Sequence, residues 1–193
     1  MKLFFSQLYP IGFLLFIGSC SQQEEPKLVT PTVDFSKASS VSYDGPQDNS
    51  PSTIPIGTYS FAVKLTPDVL TGLAGKKMIG VRFFKAGEIQ NIVINLLEVN
   101  DENKPGKLIL QQPFTVKGTG WYNVPLEQKL PLPGTGVWIS IDFQKPGAND
   151  LTIGCDAGPA KPHGEYILYQ GVWTKYSRIR SASENRNIKL WLE

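Results

Sequence analysis

Few residues in this chain could carry out acid–base or nucleophilic chemistry. There is one histidine, His163, in the turn-like run between Pro159 and Gly164, and there are two cysteines, Cys20 and Cys155. A Ser-His-Asp triad can be assembled from residues distant in sequence, but no serine here lies in a nucleophile elbow. Cys155 could pair with His163 as a thiolate, although a free cysteine is more often a small core residue. We therefore predict no catalytic residues.

Carboxylates could also serve catalysis or metal binding. Four fall in one region, namely Asp142, Asp150, Asp156 and Glu165. Glycoside hydrolysis needs one such group as acid and another as base or nucleophile. These acidic residues fall on short strands and turns, however, where acidic residues are also common because they stabilise turns. The same oxygens could ligate a structural Ca²⁺, although no spacing resembles an EF-hand loop. One histidine and one free cysteine do not make a zinc site, so we predict no metal and no cofactor.

Charge argues against nucleic acid as a partner. The net charge is +2 over the whole chain, and the basic residues are scattered rather than arranged in a stripe. Arg178, Arg180 and Arg186 are grouped near the C-terminus, where a solvated basic edge accounts for them. We expect no nucleic acid binding.

Tryptophans are the most informative side chains for binding. If the alternating residues Val137 to Phe143 face a core, then Trp138 and Asp142 face the other way. An exposed indole beside a carboxylate suits a sugar, because the ring stacks on a pyranose and the acid accepts hydroxyl protons. The candidate ligand-binding residues are Trp138 with Asp142 and Trp173 with Tyr176. Trp121 and Trp191 are predicted to fill the core instead.

The elements that would position these residues are short strands. Apolar residues alternate with period two, as in half-buried strands, at Tyr59–Leu65, Ile79–Phe83, Ile92–Leu96, Val137–Phe143 and Ile188–Leu192. Gly- and Pro-containing turn signals separate the runs. One brief helix is predicted over Pro67–Leu73. Residues 56–193 are therefore predicted to form one all-β domain, an antiparallel sandwich with at most one short helix.

The N-terminus has the outline of a signal peptide. Lys2 precedes an apolar run to Ile17 that is shorter than the roughly 20 residues a membrane span requires. The sequence Ile17-Gly18-Ser19-Cys20 resembles a bacterial lipobox. This resemblance implies that residues 1–19 are removed and that Cys20 is a lipid anchor. With Cys155 alone in the mature chain, no internal disulfide can form.

Residues 20–55 are predicted to be the anchor and a flexible tether, because they are rich in polar residues and proline. A short strand around Val41 to Tyr43 is the exception. The stretch Ser21-Gln22-Gln23-Glu24-Glu25 resembles the acidic tract of surface-exposed Bacteroidetes lipoproteins and implies an outer-membrane, cell-surface location. The alternative is a plain solvated spacer.

The order of motifs in the folded part resembles a jelly-roll-type β-sandwich module of secreted and surface Bacteroidetes proteins. The motifs are LTGLAGKKMIGVRFF, NIVINLLEV, GTGWYNVPL, GVWISIDF, GCDAGPAKPHGEYILYQGVWTKY and NIKLWL. Such modules resemble the non-catalytic adhesin parts of gingipain-like proteins, and the resemblance supplies no catalytic residues. It implies a sandwich fold and a surface setting. Our interpretation is a non-catalytic binding or adhesion module, with a glycan or a surface protein as partner. The alternatives are an accessory subunit of an outer-membrane complex and a hydrolase with an unrecognised site.

Overall fold

The computed structural model describes residues 32–44, 54–148, 151–156, 158–179 and 184–193. The predicted signal peptide, Cys20, Asp150 and much of the predicted tether lie outside these ranges. Within these ranges the chain forms twelve strands: β1 Ser39–Ser42, β2 Gly57–Leu65, β3 Lys77–Lys85, β4 Gln90–Val99, β5 Pro105–Phe114, β6 Gly120–Pro131, β7 Val137–Lys145, β8 Cys155–Asp156, β9 Tyr166–Tyr169, β10 Val172–Lys175, β11 Asn185–Arg186 and β12 Ile188–Leu192.

The strands pair antiparallel in two larger sheets and a small one. The four-stranded sheet has the order β1-β12-β3-β6, the six-stranded sheet β10-β9-β2-β7-β4-β5, and β11 pairs with β8. The helical content of the described residues is limited to two 3₁₀ turns, Phe35–Lys37 and Tyr176–Arg178. The prediction of an all-β sandwich is confirmed.

The core lies between the two larger sheets and draws on both. Its members are the inward residues of the predicted alternating runs, including Phe61, Val63 and Leu65 of β2, Val81 and Phe83 of β3, Val137, Ile139, Ile141 and Phe143 of β7, and Ile188, Leu190 and Leu192 of β12. Ile79 is buried but does not belong to this cluster. A bulge shifts the β3–β6 register between Met78 and Gly80, and Met78 joins the core instead.

The predicted helix over Pro67–Leu73 does not form. Residues 67–72 form hydrogen-bonded turns, in which Leu70 N donates to Pro67 O at 3.1 Å and Leu73 N to Leu70 O at 3.0 Å. Gly72 has a φ of +79° and ends the run, because a left-handed residue cannot continue a right-handed helix. The prediction of a helix is therefore wrong.

The strand suggested around Val41 to Tyr43 does form. It is β1, which pairs with β12 along Ser39–Ser42 and extends the four-stranded sheet at its edge. Phe35 precedes it and packs on Trp191, with ring centres 5.5 Å apart. The folded unit thus includes residues on the N-terminal side of residue 56.

Two glycines set the position of the strands that carry the predicted binding residues. Gly136, before β7, has a φ of +97°, and a side chain there would meet the Leu65 carbonyl oxygen at 2.5 Å. Gly171 has a φ of +78° and follows Gln170 at +49°. Two left-handed residues in a two-residue loop match the twist of a hairpin, so this pair folds β10 back along β9.

Candidate functional site

The candidate site lies on the outer face of the six-stranded sheet, the face turned away from the core. Strand alternation places on it the residues between the core positions of β2, β7 and β4. They occur in rows across the sheet: Lys64, Trp138 and Leu97; Ala62, Ser140 and Asn95; Ser60, Asp142 and Val93. The first and second rows carry different chemistry.

Three aromatic rings, which we call the aromatic cluster, occupy one end of this face. The ring centre of Trp138 lies 4.5 Å from that of Tyr166 and 5.6 Å from that of Trp173. Tyr166 of β9 is paired with Ala62 of β2 in the sheet, and Trp173 belongs to the edge strand β10. The hairpin of β9 and β10 is separated from β7 by β2 in the sheet, and its two rings reach across β2 to Trp138.

Trp138 is the floor of this cluster rather than an exposed platform. Its side chain faces away from the main core, as the alternation predicts, but it is only 2% exposed. The expectation of an accessible indole is wrong for Trp138, because Tyr166 and Trp173 cover it. Trp173 is half-buried and is the indole of the pair that a ligand can reach. The indole Nε1 of Trp138 is buried without a hydrogen-bond partner.

Two lysines flank the aromatic cluster. Lys64 Nζ lies 5.9 Å from the ring centre of Trp138 and donates to Asn103 O at 3.4 Å. Lys175 is opposite Tyr166 in the hairpin register. Lys64 is only 3% exposed. Burial lowers the pKa of Lys64, and the charge of Lys175 lowers it further.

His163 adds a polar group beside Tyr166. A hydrogen bond of 3.0 Å joins its Nδ1 to the Tyr166 hydroxyl, and the two rings are nearly parallel at 8°. Burial lowers the pKa of His163, the charges of Lys64 and Lys175 lower it further, and Asp68 acts in the opposite direction. Neutral His163 is thus favoured in the folded protein.

A hydrogen-bonded polar ladder crosses the neighbouring rows. Asn95 Nδ2 donates to Ser140 Oγ at 3.1 Å and to Asp142 Oδ2 at 2.8 Å. Gln111 Nε2 of β5 donates to Asn95 Oδ1 at 3.0 Å, and Gln111 itself is exposed. Asp142, a predicted ligand-binding residue, is therefore half-buried within a line of amide, hydroxyl and carboxylate groups. We call Asn95, Gln111, Ser140 and Asp142 the polar ladder.

Tyr176 does not belong to this site. It is 2% exposed and lies in the main core on the opposite side of the sheet from Trp173. Its ring packs edge-on to Phe61 with centres 6.1 Å apart, and the guanidinium of Arg186 lies 4.5 Å from its centre. The predicted pairing of Trp173 with Tyr176 is wrong, because the intervening chain leaves β10 and enters the 3₁₀ turn.

Trp121 and Trp191 also differ from expectation, because neither belongs to the core cluster. Both are half-buried on the outer face of the four-stranded sheet. Trp191 Nε1 donates to Asn123 Oδ1 at 3.0 Å. Arg82 lies 4.5 Å and Lys189 5.3 Å from the ring centre of Trp121.

The other chemistry-bearing residues have structural partners. Cys155 is fully buried in β8, which confirms the core assignment. Asp156 accepts from Asn185 N at 3.0 Å, and Glu165 accepts from Ser177 Oγ at 2.6 Å. The described residues contain no group of three or more His, Cys, Asp or Glu side chains able to hold a metal ion. Within the same ranges, no helix is long and apolar enough to cross a membrane.

Among the described residues, open cavities also occur outside the aromatic cluster and the polar ladder. One of about 640 Å³ lies at the β4–β5 end, between Glu88–Val93 and Pro113–Lys117. The other, of about 330 Å³, is lined by Tyr59, Tyr169, Tyr176 and neighbouring apolar residues near the β9–β10 hairpin. Neither includes a predicted site residue other than Tyr176.

Sequence reasoning missed Lys64, Lys175, Asn95 and Gln111. Asn95 carries a readable signal, since it is a polar residue in the middle of the apolar run of β4. The two lysines carry none, because β2 and β10 are brought together by β9 over a long stretch of chain.

Comparison of the chain with protein-family models, with curated proteins and with solved structures finds no match. The structure itself defines the class, an all-β sandwich of packed antiparallel sheets. The resemblance to a jelly-roll module of Bacteroidetes surface proteins stays a prediction.

Proposed function

We propose that this protein is a non-catalytic binding module whose ligand is a glycan, bound on the outer face of the six-stranded sheet. The observation that carries the proposal is the half-buried indole of Trp173, packed against Trp138 at an interplanar angle of 41° on the same face as the polar ladder. An aromatic face for the sugar ring and fixed amide and carboxylate groups for its hydroxyls are what such a site needs.

A glycan array probed with the detergent-solubilised full chain tests this proposal. Trp173→Ala should weaken binding about tenfold, because a stacked ring contributes about 0.5–1.5 kcal/mol beyond its buried area. Trp121→Ala is the matched control, since Trp121 is also half-buried and lies close to two cations. Equal losses in both variants, or no bound glycan at all, would contradict the proposal.

Anchoring through Cys20 and exposure on the outer membrane form the second part of the proposal, supported by the lipobox-like sequence and the acidic stretch that follows it. Cys20→Ser should abolish labelling by a palmitate analogue and release the protein from the membrane pellet. Cys155→Ser is the control, because the chain has two cysteines and Cys155 is fully buried. Undiminished labelling of Cys20→Ser would rule out this anchor.

An accessory subunit of an outer-membrane complex is a second candidate function. It is favoured by exposed apolar residues on and around the β9–β10 hairpin: Ile56, Leu168, Tyr169, Val172 and Ile179. Clustered exposed apolar side chains are typical of protein interfaces. Val172 is 65% exposed, so Val172→Lys should shift the protein from a larger complex to its free size on a native gel of membrane extracts. A parent protein that already migrates at its free size would exclude this function.

A further inference from the structure

The basic end of the outer face is rich in hydrogen-bond donors and poor in acceptors. Lys64 uses one of its three ammonium protons, on Asn103 O at a long 3.4 Å. The indole N–H of Trp138 is buried and has no acceptor. Lys175 adds a second ammonium group close enough to lower the pKa of Lys64.

No counter-charge balances these lysines among the described residues. The ion pairs found there involve neither Lys64 nor Lys175. Glu165 is occupied by Ser177, and Asp68 acts on His163. Asp142 lies four residues along β7 from Trp138, which is about 13 Å at the rise of a strand.

Keeping a lysine charge buried without an anion is unfavourable, and a like charge nearby adds to the cost. An anionic oxygen group placed between the two ammonium groups would relieve both terms and give Lys64 a charged acceptor in addition to Asn103 O. Charge-assisted hydrogen bonds of this kind are the stronger class in proteins.

We infer that the ligand of this face is an acidic saccharide, whose carboxylate or sulfate group binds between Lys64 and Lys175 while its sugar ring stacks on Trp173. This inference rests on the proposed function and specifies the charge of its ligand. The polar ladder then contacts hydroxyl groups further along the same chain of sugars.

The outer face of the four-stranded sheet provides the internal contrast. There Lys189 lies beside Trp121, but its Nζ is paired with Asp44 Oδ2 at 2.9 Å. That carboxylate occupies the position an external anion would need. The lysine beside the tryptophan is therefore neutralised on this face, whereas Arg82, near the same ring, takes part in none of the ion pairs of the described residues.

Matched sets of neutral, carboxylated and sulfated glycans on one array test the inference, again with the full chain in detergent. The parent should bind acidic members, and Lys64→Gln and Lys175→Gln should each weaken that binding about tenfold. Lys189→Gln is the control and should bind as the parent does. Raising the salt concentration should weaken binding of the parent more than that of either lysine variant. Comparing the carboxylated with the sulfated set identifies which anion is recognised.

The outcomes separate the inference from the proposed function. If the parent binds only neutral glycans and Trp173→Ala loses that binding, the proposed glycan-binding function stands and the inference of an acidic ligand is overturned. If Lys175→Gln binds acidic glycans as strongly as the parent does, the inference of an acidic ligand is also overturned. Lys175 is only half-buried, so Lys175→Gln keeps the test valid even if Lys64→Gln fails to fold. No glycan bound by the parent overturns the proposed function together with the inference.

Discussion

The two large sheets present similar groups on their outer faces and balance the charge of those groups differently. On the four-stranded sheet, Lys189 lies near Trp121 and is paired with the buried carboxylate of Asp44. On the six-stranded sheet, Lys64 lies near Trp138 and has no carboxylate paired with it in the described part of the chain. The lysine beside the tryptophan is thus neutralised on one face and not on the other.

The difference shows that an aromatic ring beside a cation does not by itself define a binding site. What separates the faces is whether the chain supplies its own anion. Asp44 lies two residues after β1, the edge strand of the four-stranded sheet, and none of the ion pairs of the described residues supplies such a carboxylate to Lys64.

Truncating the tryptophan of each face should produce the largest contrast. Trp138 is 2% exposed, so Trp138→Ala should lower the free energy of unfolding by about 3–5 kcal/mol, the usual cost of emptying an aromatic site in a core. Trp121→Ala should cost less, because its ring is half-buried. Urea titrations of both variants measure the difference. A smaller decrease in the free energy of unfolding for Trp138→Ala than for Trp121→Ala would show that the aromatic cluster is loosely packed.

Removing the internal counter-ion should have the next largest effect. Asp44→Asn leaves Lys189 without its partner, and hydrogen bonds to charged groups contribute about 1.5–3 kcal/mol. We expect the free energy of unfolding to decrease by an amount in that range, since the Asp44 side chain is fully buried. Thermal melts at low and high salt give the measurement. An unchanged melting midpoint would mean that the two faces do not differ in the way described.

Replacing the lysines should act in opposite directions on the two faces. Lys64→Met should raise the free energy of unfolding by about 1 kcal/mol in the absence of ligand, because an unpaired buried charge is exchanged for an apolar side chain. Lys189→Met should lower it, because Asp44 then stays buried without a cation. A loss of stability in both variants would show that the contacts of Lys64 with Asn103 O and the Trp138 ring outweigh the cost of burying its charge.

The smallest effect concerns the chain's one histidine, which lies beside the six-stranded face. The pKa of His163 is lowered below its usual 6.5, so the unfolded chain binds the proton more readily. Its contribution to stability is present above pH 6.5 and is lost as the pH falls through the folded-state pKa. The melting midpoint should decline below pH 6.5 in the parent and less steeply in His163→Gln. Identical profiles would exclude this contribution.

The core strands were predictable because apolar and polar residues alternate within the local sequence of each half-buried strand. The position of Tyr176 was not predictable, because it lies in a 3₁₀ turn beyond β10, but the outward facing of Trp138 was, since strand alternation sets it. The burial of Trp138 was not, because its cover comes from the β9–β10 hairpin. The helix over Pro67–Leu73 was predicted from local signals alone, and isolated stretches this short are marginal as helices.

The β9–β10 hairpin is attached to the sheet less firmly than the strands it covers. β2 pairs with β9 at Phe61 and Ala62 only, whereas β2 and β7 pair along their whole length from Gly57 to Leu65. Few backbone bonds mean a low free energy of local opening. Backbone amides of the hairpin should therefore exchange with deuterium well before those of β7, so Trp173 is carried by a segment of the sheet that opens more readily than the strand that carries Trp138.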